Sequence, residues 1–199
     1  GYGLLSENPD FVDACEEAGI KFIGPKAETM RKLGDKASAR RVAMEAGVPV
    51  VPATDVLPDD MNKVRQMAEE VGYPFMLKAA WGGGGRGMRP IMDASELEEK
   101  VLEGRREAEA AFGNGEGYLE RLVERARHVE VQILGDSFGE IYHLYERDCS
   151  VQRRNQKVVE RAPAPYLTEE QRSEICSLGR KICAHVGYEC ARTVEFLMD

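Results

Sequence analysis

The sequence predicts an α+β fold, and three features of its patterning lead to this prediction. The first 50 residues alternate helical patterns with a short apolar segment, which is typical of an α/β layer. Residues 51–123 place two helical patterns among short strand patterns. From Arg127 onwards apolar and polar residues alternate, as in residues 128–134, and this period of two indicates antiparallel strands. We therefore divide the chain into 1–50, 51–123 and 124–199.

The amino-terminal elements follow from apolar spacing and from turn residues. Apolar residues at helical spacing predict a helix over 8–18, which ends at Gly19. The apolar run 20–23, closed by Gly24-Pro25, is predicted to be a strand. Helices are predicted over 26–33 and 35–46, with Asp35 as the N-cap of the second. The prolines within 48–58 predict an extended linker.

The middle part reads as a small module of its own. A helix is predicted over 59–71, and strands over 74–80, 88–92 and 118–123. Ser95 is predicted to cap a long helix that ends near residue 111. Pro90 has no N–H to donate to a ladder, so its strand should lie at an edge or carry a bulge.

The carboxy-terminal part combines a hairpin with one long helix. Strands are predicted over 128–134, 141–147, 157–162 and 191–197, and Gly135-Asp136 with Gly139 marks the hairpin between the first two. The helix is predicted over 168–186 and opens at Thr168.

The amino-acid composition excludes several classes of protein. The chain has 199 residues, of which 43% are apolar, which is too many for a disordered chain. The net charge is −8, whereas a general nucleic-acid binder needs a basic field. No apolar run approaches the length of a membrane span. The five cysteines form no CxxC pair and are interpreted as buried free thiols in a reducing compartment.

The strongest local motif is the run KAAWGGGGRGMR, from Lys78 to Arg89. It contains GxGxxG, but a strand follows where a dinucleotide-binding fold needs a helix, and no Lys-Ser or Lys-Thr closes it as in a Walker A loop. A glycine hairpin between two strands remains. Its backbone N–H groups can approach phosphate oxygens, and Lys78 and Arg86 add positive charge.

A charged segment, 146–157, offers a second candidate site. Its ordinary interpretation is a solvated loop. However, residues 147–161 hold five basic and two acidic side chains in an acidic protein, and such a local positive patch favours an anionic ligand. Glu195 is a third candidate, because its carboxylate on the last strand can pair with an arginine or bind Mg²⁺. The three histidines show no metal-ligand spacing.

These segments together resemble a known family. The runs KAAWGGGGRGMR, RHVEVQILGD, LYERDCSVQRRNQKVVERAPAP and TVEFL are similar to the biotin carboxylase domain of biotin-dependent carboxylases, within the ATP-grasp superfamily. The runs VPVVPATD and AAFGNGEGYLERLVERARHVE look most like the pyruvate carboxylase branch. Acetyl- and propionyl-CoA carboxylases share the motifs and stay open as alternatives. The resemblance covers essentially the whole chain and implies an ATP-grasp fold.

The resemblance also implies site residues. Lys78 and Lys157 stand at the positions of lysines that serve catalysis, and Glu195 at the position of one of two acidic metal ligands. Gly82, Gly83, Gly84, Gly85 and Gly87 correspond to a mobile lid over the phosphates. Positions matching nucleotide contacts are Lys36, Lys78, Glu120, Arg121, Val123, His128, Gln152, Asn155 and Leu197. Arg121 and Asn155 depart from the lysine and histidine that are frequent at their positions.

The implied chemistry is carboxylation of biotin. ATP activates bicarbonate as carboxyphosphate, which yields CO₂ for attack by the N1 atom of biotin, with Mg²⁺ or Mn²⁺ as the metal. The implied partners are bicarbonate and a biotinyl carrier domain, with a homo-oligomeric parent enzyme and neither nucleic acid nor membrane. The implied compartment is the bacterial cytosol or the mitochondrial matrix. Another ATP-grasp ligase, such as a carbamoyl-phosphate synthetase, and a nonenzymatic nucleotide-binding fragment are the competing hypotheses.

Two departures from the family pattern lead to further expectations. The chain begins at Gly1 without Met and stops at Asp199, before the family's second metal-binding glutamate, so we expect a fragment that turns over poorly alone. Arg192 stands where the family usually has glycine, near Glu195, and the metal geometry is expected to suffer.

Overall fold

The computed structural model describes residues 3, 5–34, 36–80, 88–153 and 156–198. The described helices are α1 (Pro9–Glu17), α2 (Ala27–Leu33), α3 (Lys36–Glu45), α4 (Met61–Val71), α5 (Leu97–Phe112) and α6 (Glu169–His185). The described strands are β1 (Phe75–Ala79), β2 (Arg89–Ile91), β3 (Gly117–Arg121), β4 (Arg127–Gly135), β5 (Ile141–Arg153), β6 (Gln156–Arg161) and β7 (Cys190–Met198). No described helix has the length and apolar character needed to cross a membrane.

The smaller sheet has three antiparallel strands in the order β2-β1-β3. Its buried side chains pack against α4 and α5, with Phe75, Ile91 and Leu119 fully buried. Pro90 lies on the edge strand β2, which confirms the edge prediction. The predicted linker runs beside β3, because Thr54 N–H donates to the Leu119 carbonyl at 2.8 Å.

The larger sheet has four antiparallel strands in the order β6-β5-β4-β7, and α6 covers one face. Val129, Val131 and Ile133 point from β4 into this core and are fully buried. The next residues along β4 point to the other face by alternation. The hairpin predicted at Gly135-Asp136 and Gly139 joins β4 to β5.

Helix α6 begins as its sequence predicts. Thr168 accepts a hydrogen bond from Gln171 N–H at 3.2 Å, and Gln171 Oε1 accepts from Thr168 N–H at 3.0 Å. This reciprocal capping box satisfies two donors that the first turn leaves unpaired. Its apolar side packs against the sheet and, through Leu178 and Ile182, against the end of α3.

Three sequence predictions about elements are wrong. Residues 20–23 form no strand, and Ile20 and Ile23 are 61% and 90% exposed, since no described strand pairs with them. Ser95 does not cap the long helix: a short 3-10 turn, Ala94–Glu96, precedes α5 and is capped by Asp93, whose carboxylate accepts from Ser95 N–H at 2.8 Å. The strand predicted over 141–147 was too short, because β5 continues to Arg153 and takes in much of segment 146–157. The predicted cap Asp35 lies outside the described residues.

Candidate functional site

On the smaller sheet, Lys78 and Glu120 form an ion pair between the adjacent strands β1 and β3. Both side chains are largely buried, so the pair is shielded from solvent. Lys36, at the start of α3, donates from Nζ to the Ala79 carbonyl at 3.3 Å. Burial lowers the pKa of Lys36, and the charge of Lys78 lowers it further, against smaller opposing effects of Glu120 and Glu195. Charges from both sheets therefore act on one lysine.

On the larger sheet, Glu130 of β4 and Glu195 of β7 are direct cross-strand partners. The ammonium of Lys157 on β6 binds both, with Nζ 2.6 Å from Glu195 Oε1. Arg147 supplies a second cation to Glu130, with Nε 2.7 Å from Oε1. Burial acts to lower the pKa of Lys157, but the hydrogen bonds to Glu130 and Glu195 outweigh it and raise the pKa. Lys157 therefore stays charged at neutral pH.

The His128 ring lies between Gln152 and Glu195. Gln152 Nε2 lies 2.6 Å from His128 Nδ1 and donates to the Cys149 carbonyl at 2.9 Å. An amide nitrogen only donates, so His128 Nδ1 accepts and the ring proton sits on Nε2, 3.4 Å from Glu195 Oε2. The hydrogen bond from His128, followed by that from Lys157, lowers the pKa of Glu195 to about 2 against the opposing effect of burial.

The other predicted site residues fall into two groups. Arg121 is the last residue of β3, where its N–H donates to the Pro52 carbonyl at 2.8 Å, and Val123 lies two residues beyond the strand. Leu197 pairs with His128 across β7 and β4 and is 44% exposed. The remaining predictions lie outside the described residues: Gly82, Gly83, Gly84, Gly85, Gly87 and Asn155.

Glu130 was not among the site residues predicted from the sequence. Its side chain is 3% exposed and is held by Arg147 and Lys157. Burial raises its pKa, but the hydrogen bonds from the two cations outweigh this and lower it overall. A signal was available, because alternation along β4 places Glu130 on the same face as His128.

Arg192, which stands where the family usually has glycine, points away from Glu195. The two residues are three apart on β7, so their side chains lie on opposite faces. The Arg192 guanidinium lies 5.3 Å from the ring centroid of Tyr188, whose side chain is buried in the core under α6. The described structure therefore accommodates this arginine away from the candidate metal ligand.

Glu195 offers a carboxylate of the kind that binds Mg²⁺, although Lys157 and His128 contact its two oxygens in the described structure. Mg²⁺ prefers oxygen ligands and is commonly bound through one or two carboxylates together with substrate phosphates. A second group of potential ligands, Glu130, Cys149 and Glu160, fits poorly. Glu130 already binds two cations, and burial raises the pKa of the Cys149 thiol to about 11.

The two antiparallel sheets, with Lys36 and Lys78 on one side and Lys157 and Glu195 on the other, agree with the ATP-grasp class. Residues 35–199 match the family described as carbamoyl-phosphate synthase L chain, ATP binding domain, and residues 1–30 match the biotin carboxylase, N-terminal domain. The chain therefore belongs to the carbamoyl-phosphate synthase L chain ATP-binding domain family.

Among similar proteins, mitochondrial pyruvate carboxylase of Mus musculus is 54% identical over 199 residues, which are 100% of this chain and 17% of that protein. The structure of Rhizobium etli pyruvate carboxylase with acetyl coenzyme A has a TM-score of 0.94 and 63% identity, over 100% of this chain and 17% of that one.

A third relative carries ligands. The biotin carboxylase domain dimer of Hydrogenobacter thermophilus 2-oxoglutarate carboxylase, in complex with MgADP, ADP and bicarbonate, has a TM-score of 0.95 and 47% identity, over 100% of this chain and 44% of that one. The chain thus spans less than half of each of these relatives. The resemblance to biotin carboxylase domains and the ATP-grasp fold are confirmed.

Proposed function

We propose that the chain is the nucleotide-binding part of a biotin carboxylase, which carboxylates biotin with bicarbonate and ATP, within a pyruvate carboxylase. The observation that carries this proposal is the convergence of Lys36 and Lys78 from one side with Lys157 and Glu195 from the other. The similarity to pyruvate carboxylases over the whole chain supports it.

In this proposal the two sheets hold ATP between them. Lys78 binds the phosphates, Lys36 contacts the phosphates or the adenosine, and Glu120 accepts a hydrogen bond from the adenine amino group. His128 and Gln152 lie beside the ribose. We assign the neighbouring nucleotide contacts to Arg121, Val123, Asn155 and Leu197, and the lid over the phosphates to Gly82, Gly83, Gly84, Gly85 and Gly87.

Phosphoryl transfer to bicarbonate needs positioning and charge stabilisation. Lys157 is suited to this role because its two carboxylate partners keep it protonated and fix its ammonium in place. Glu195 would hold Mg²⁺, or Mn²⁺ in its place, and the bound metal supplies positive charge to the phosphate oxygens. Lys78 supplies a second fixed positive charge from the opposite sheet.

The partners belong to the same proposal. Biotin reaches the site on a carrier domain, bicarbonate binds near Lys157, and the complete enzyme is a homo-oligomer of the bacterial cytosol or the mitochondrial matrix. The boundaries 1–50, 51–123 and 124–199 are proposed as an amino-terminal subdomain, a lid subdomain and the start of the last lobe. The likeness to a 2-oxoglutarate carboxylase domain favours a second candidate, the same half-reaction serving another acceptor.

ADP formation in the complete gene product that contains these residues tests the proposal. We expect ADP release that requires bicarbonate and rises when free biotin is added, together with transfer of labelled carbon to biotin. Lys157→Met should abolish both, whereas Lys100→Met, at a lysine whose ammonium binds Glu96 and the Pro90 carbonyl rather than any proposed site residue, should leave both unchanged. Bicarbonate-dependent ADP release without any response to biotin would point instead to another ATP-grasp ligase.

A further inference from the structure

Next to the candidate site, the buried carboxylate of Asp148 collects hydrogen bonds that the proposed mechanism does not use. Asp148 is 2% exposed. Its Oδ1 accepts from Ser150 Oγ at 2.6 Å, from Ser150 N–H at 3.1 Å and from the Tyr166 hydroxyl at 3.1 Å, and its Oδ2 accepts from Arg161 at 2.6 Å. Both carboxylate oxygens of Asp148 thus accept hydrogen bonds. Because the Ser150 hydroxyl donates to one of them, its orientation is fixed.

The Ser150 hydroxyl then reaches β4. It accepts a hydrogen bond from the main-chain N–H of His128 at 3.1 Å. The regular β4–β5 pairing at this end stops at Val129 opposite Asp148. A side chain therefore takes the place of a strand partner at the residue where β4 enters the candidate site.

The ring of His128 depends on this main-chain position. Its Nδ1 lies 2.6 Å from Gln152 Nε2, and its Nε2 lies 3.4 Å from Glu195. Gln152 belongs to the same irregular stretch of β5, where the pairing with β6 shifts between Asp148 and Gln152. The segment 148–152 thus sets the position of two side chains that face the site.

We propose that Asp148, acting through Ser150, is a positioning residue that places His128 and Gln152 for nucleotide binding. This inference rests on the proposed function, since it takes those two side chains as nucleotide contacts. Among the described residues, the hydrogen bonds of Asp148 go to Ser150, Arg161 and Tyr166 and not directly to His128 or Gln152. Its effect passes through one hydroxyl, so removal of that hydroxyl should act on the site while the other hydrogen bonds to Asp148 remain.

The test compares two variants that each remove one hydrogen bond from Asp148. Ser150→Ala breaks the link to His128, whereas Tyr166→Phe removes a hydroxyl that bonds to Asp148 and contacts Ser150 but keeps the Ser150 oxygen that accepts from His128 N–H. We expect Ser150→Ala to raise the dissociation constant of MgADP about tenfold, the factor that corresponds to about 1.4 kcal/mol. Ser150→Thr should restore binding, and Tyr166→Phe should keep it close to the unaltered value.

A second readout does not depend on nucleotide. The carbon-bound ring protons of the three histidines can be followed by NMR, with His143 and His185 as internal references. Ser150→Ala should move the His128 signals alone, and Tyr166→Phe should move them less. Ser150→Cys, which keeps the shape but bonds weakly, replaces Ser150→Ala if that variant does not melt cooperatively.

The outcomes separate the two proposals. If the unaltered protein does not bind MgADP, the proposed function is wrong. The NMR signals of His128 in the Ser150→Ala and Tyr166→Phe variants then test by themselves whether Asp148 positions His128. Equal effects of Ser150→Ala and Tyr166→Phe on both readouts, or no effect of Ser150→Ala on either, would overturn the inference.

Discussion

Glu130 and Glu195 lie directly opposite each other on β4 and β7, although both carry negative charge. Like charges at opposed positions destabilise a sheet unless a cation lies between them. Lys157 provides that cation, with its ammonium bound to both carboxylates. The proposed metal ligand therefore shares its charge with a lysine of the same chain.

Removal of Lys157 should strengthen metal binding by the protein alone. Lys157→Met leaves Glu195 and Glu130 with less neutralising charge, and a divalent cation can then replace the ammonium. We expect the dissociation constant of Mn²⁺, measured by electron paramagnetic resonance without nucleotide, to fall about tenfold, in line with the strength of a partly buried charge pair. The double variant Lys157→Met with Glu195→Gln should lose this gain. Unchanged Mn²⁺ binding in Lys157→Met would show that Lys157 does not compete with a metal ion for the Glu195 carboxylate.

Glu195 should contribute to stability in a defined pH range. Its pKa in the folded protein is about 2, below its ordinary value of 4.5, so its contribution is complete above 4.5 and disappears as the pH falls towards 2. The side chain is 53% exposed, so solvent screening limits the contribution to about 1 kcal/mol or less. In urea titrations, Glu195→Gln should therefore be less stable than the unaltered protein at neutral pH, and the difference should shrink below 4.5. If the difference in the free energy of unfolding between the two proteins does not change with pH, the pKa of Glu195 is not lowered by folding.

The five cysteine thiols should differ widely in their rates of reaction with a thiol reagent. Burial raises the pKa of both Cys149 and Cys183 to about 11, and Cys15 and Cys176 are also buried. A thiol reacts as the thiolate, so these cysteines should be slow. Cys190, which is partly exposed, should account for the single fast reaction with Ellman's reagent in the native protein.

Cys190→Ser is the control for this assignment. It should remove the fast phase, and urea should then expose the four remaining thiols. Several fast thiols in the folded protein would show that the described packing around them is wrong.

Gly135 should tolerate no side chain. A Cβ atom there would lie 2.1 Å from the Tyr188 carbonyl oxygen, which is main chain and has little freedom to move. Gly135→Ala should lower the free energy of unfolding by about 1–3 kcal/mol or more. At Gly179 in α6, a Cβ would lie at an acceptable 3.4 Å from Val131, so Gly179→Ala should cost less and gain from helix propensity. Equal losses in urea titrations would contradict this packing.

Most helices and strands could be predicted from features that are local in the sequence. The capping residue Thr168, the hairpin glycines and the edge position of Pro90 depend on neighbours in sequence or on the chemistry of one residue, and they could be predicted. The strand predicted over 20–23 was wrong because apolar content does not reveal whether a partner strand exists. Ser95 and Asp93 are both good capping residues, and the sequence could not decide between them.

The site was less accessible to prediction, because its contacts join distant parts of the chain. Lys78 and Glu120 are 42 residues apart, and Lys157 and Glu195 are 38 apart. Their roles came from the family resemblance, and only the register of the sheets explains why they meet. Glu130 was missed because a carboxylate on an alternating strand is usually solvated, and its cations come from β5 and β6.

Calorimetric titration with MgADP tests the central claim most directly, because the proposed function depends on a contact between Lys78 and the nucleotide phosphates. The unaltered protein should bind MgADP, and Lys78→Met should weaken binding at least about tenfold, since it removes a charge-assisted contact. Lys100→Met, which also removes one lysine charge from segment 51–123, should bind MgADP as the unaltered protein does. Absence of binding by a cooperatively folded protein, or equal binding by the Lys78→Met variant, would contradict the account.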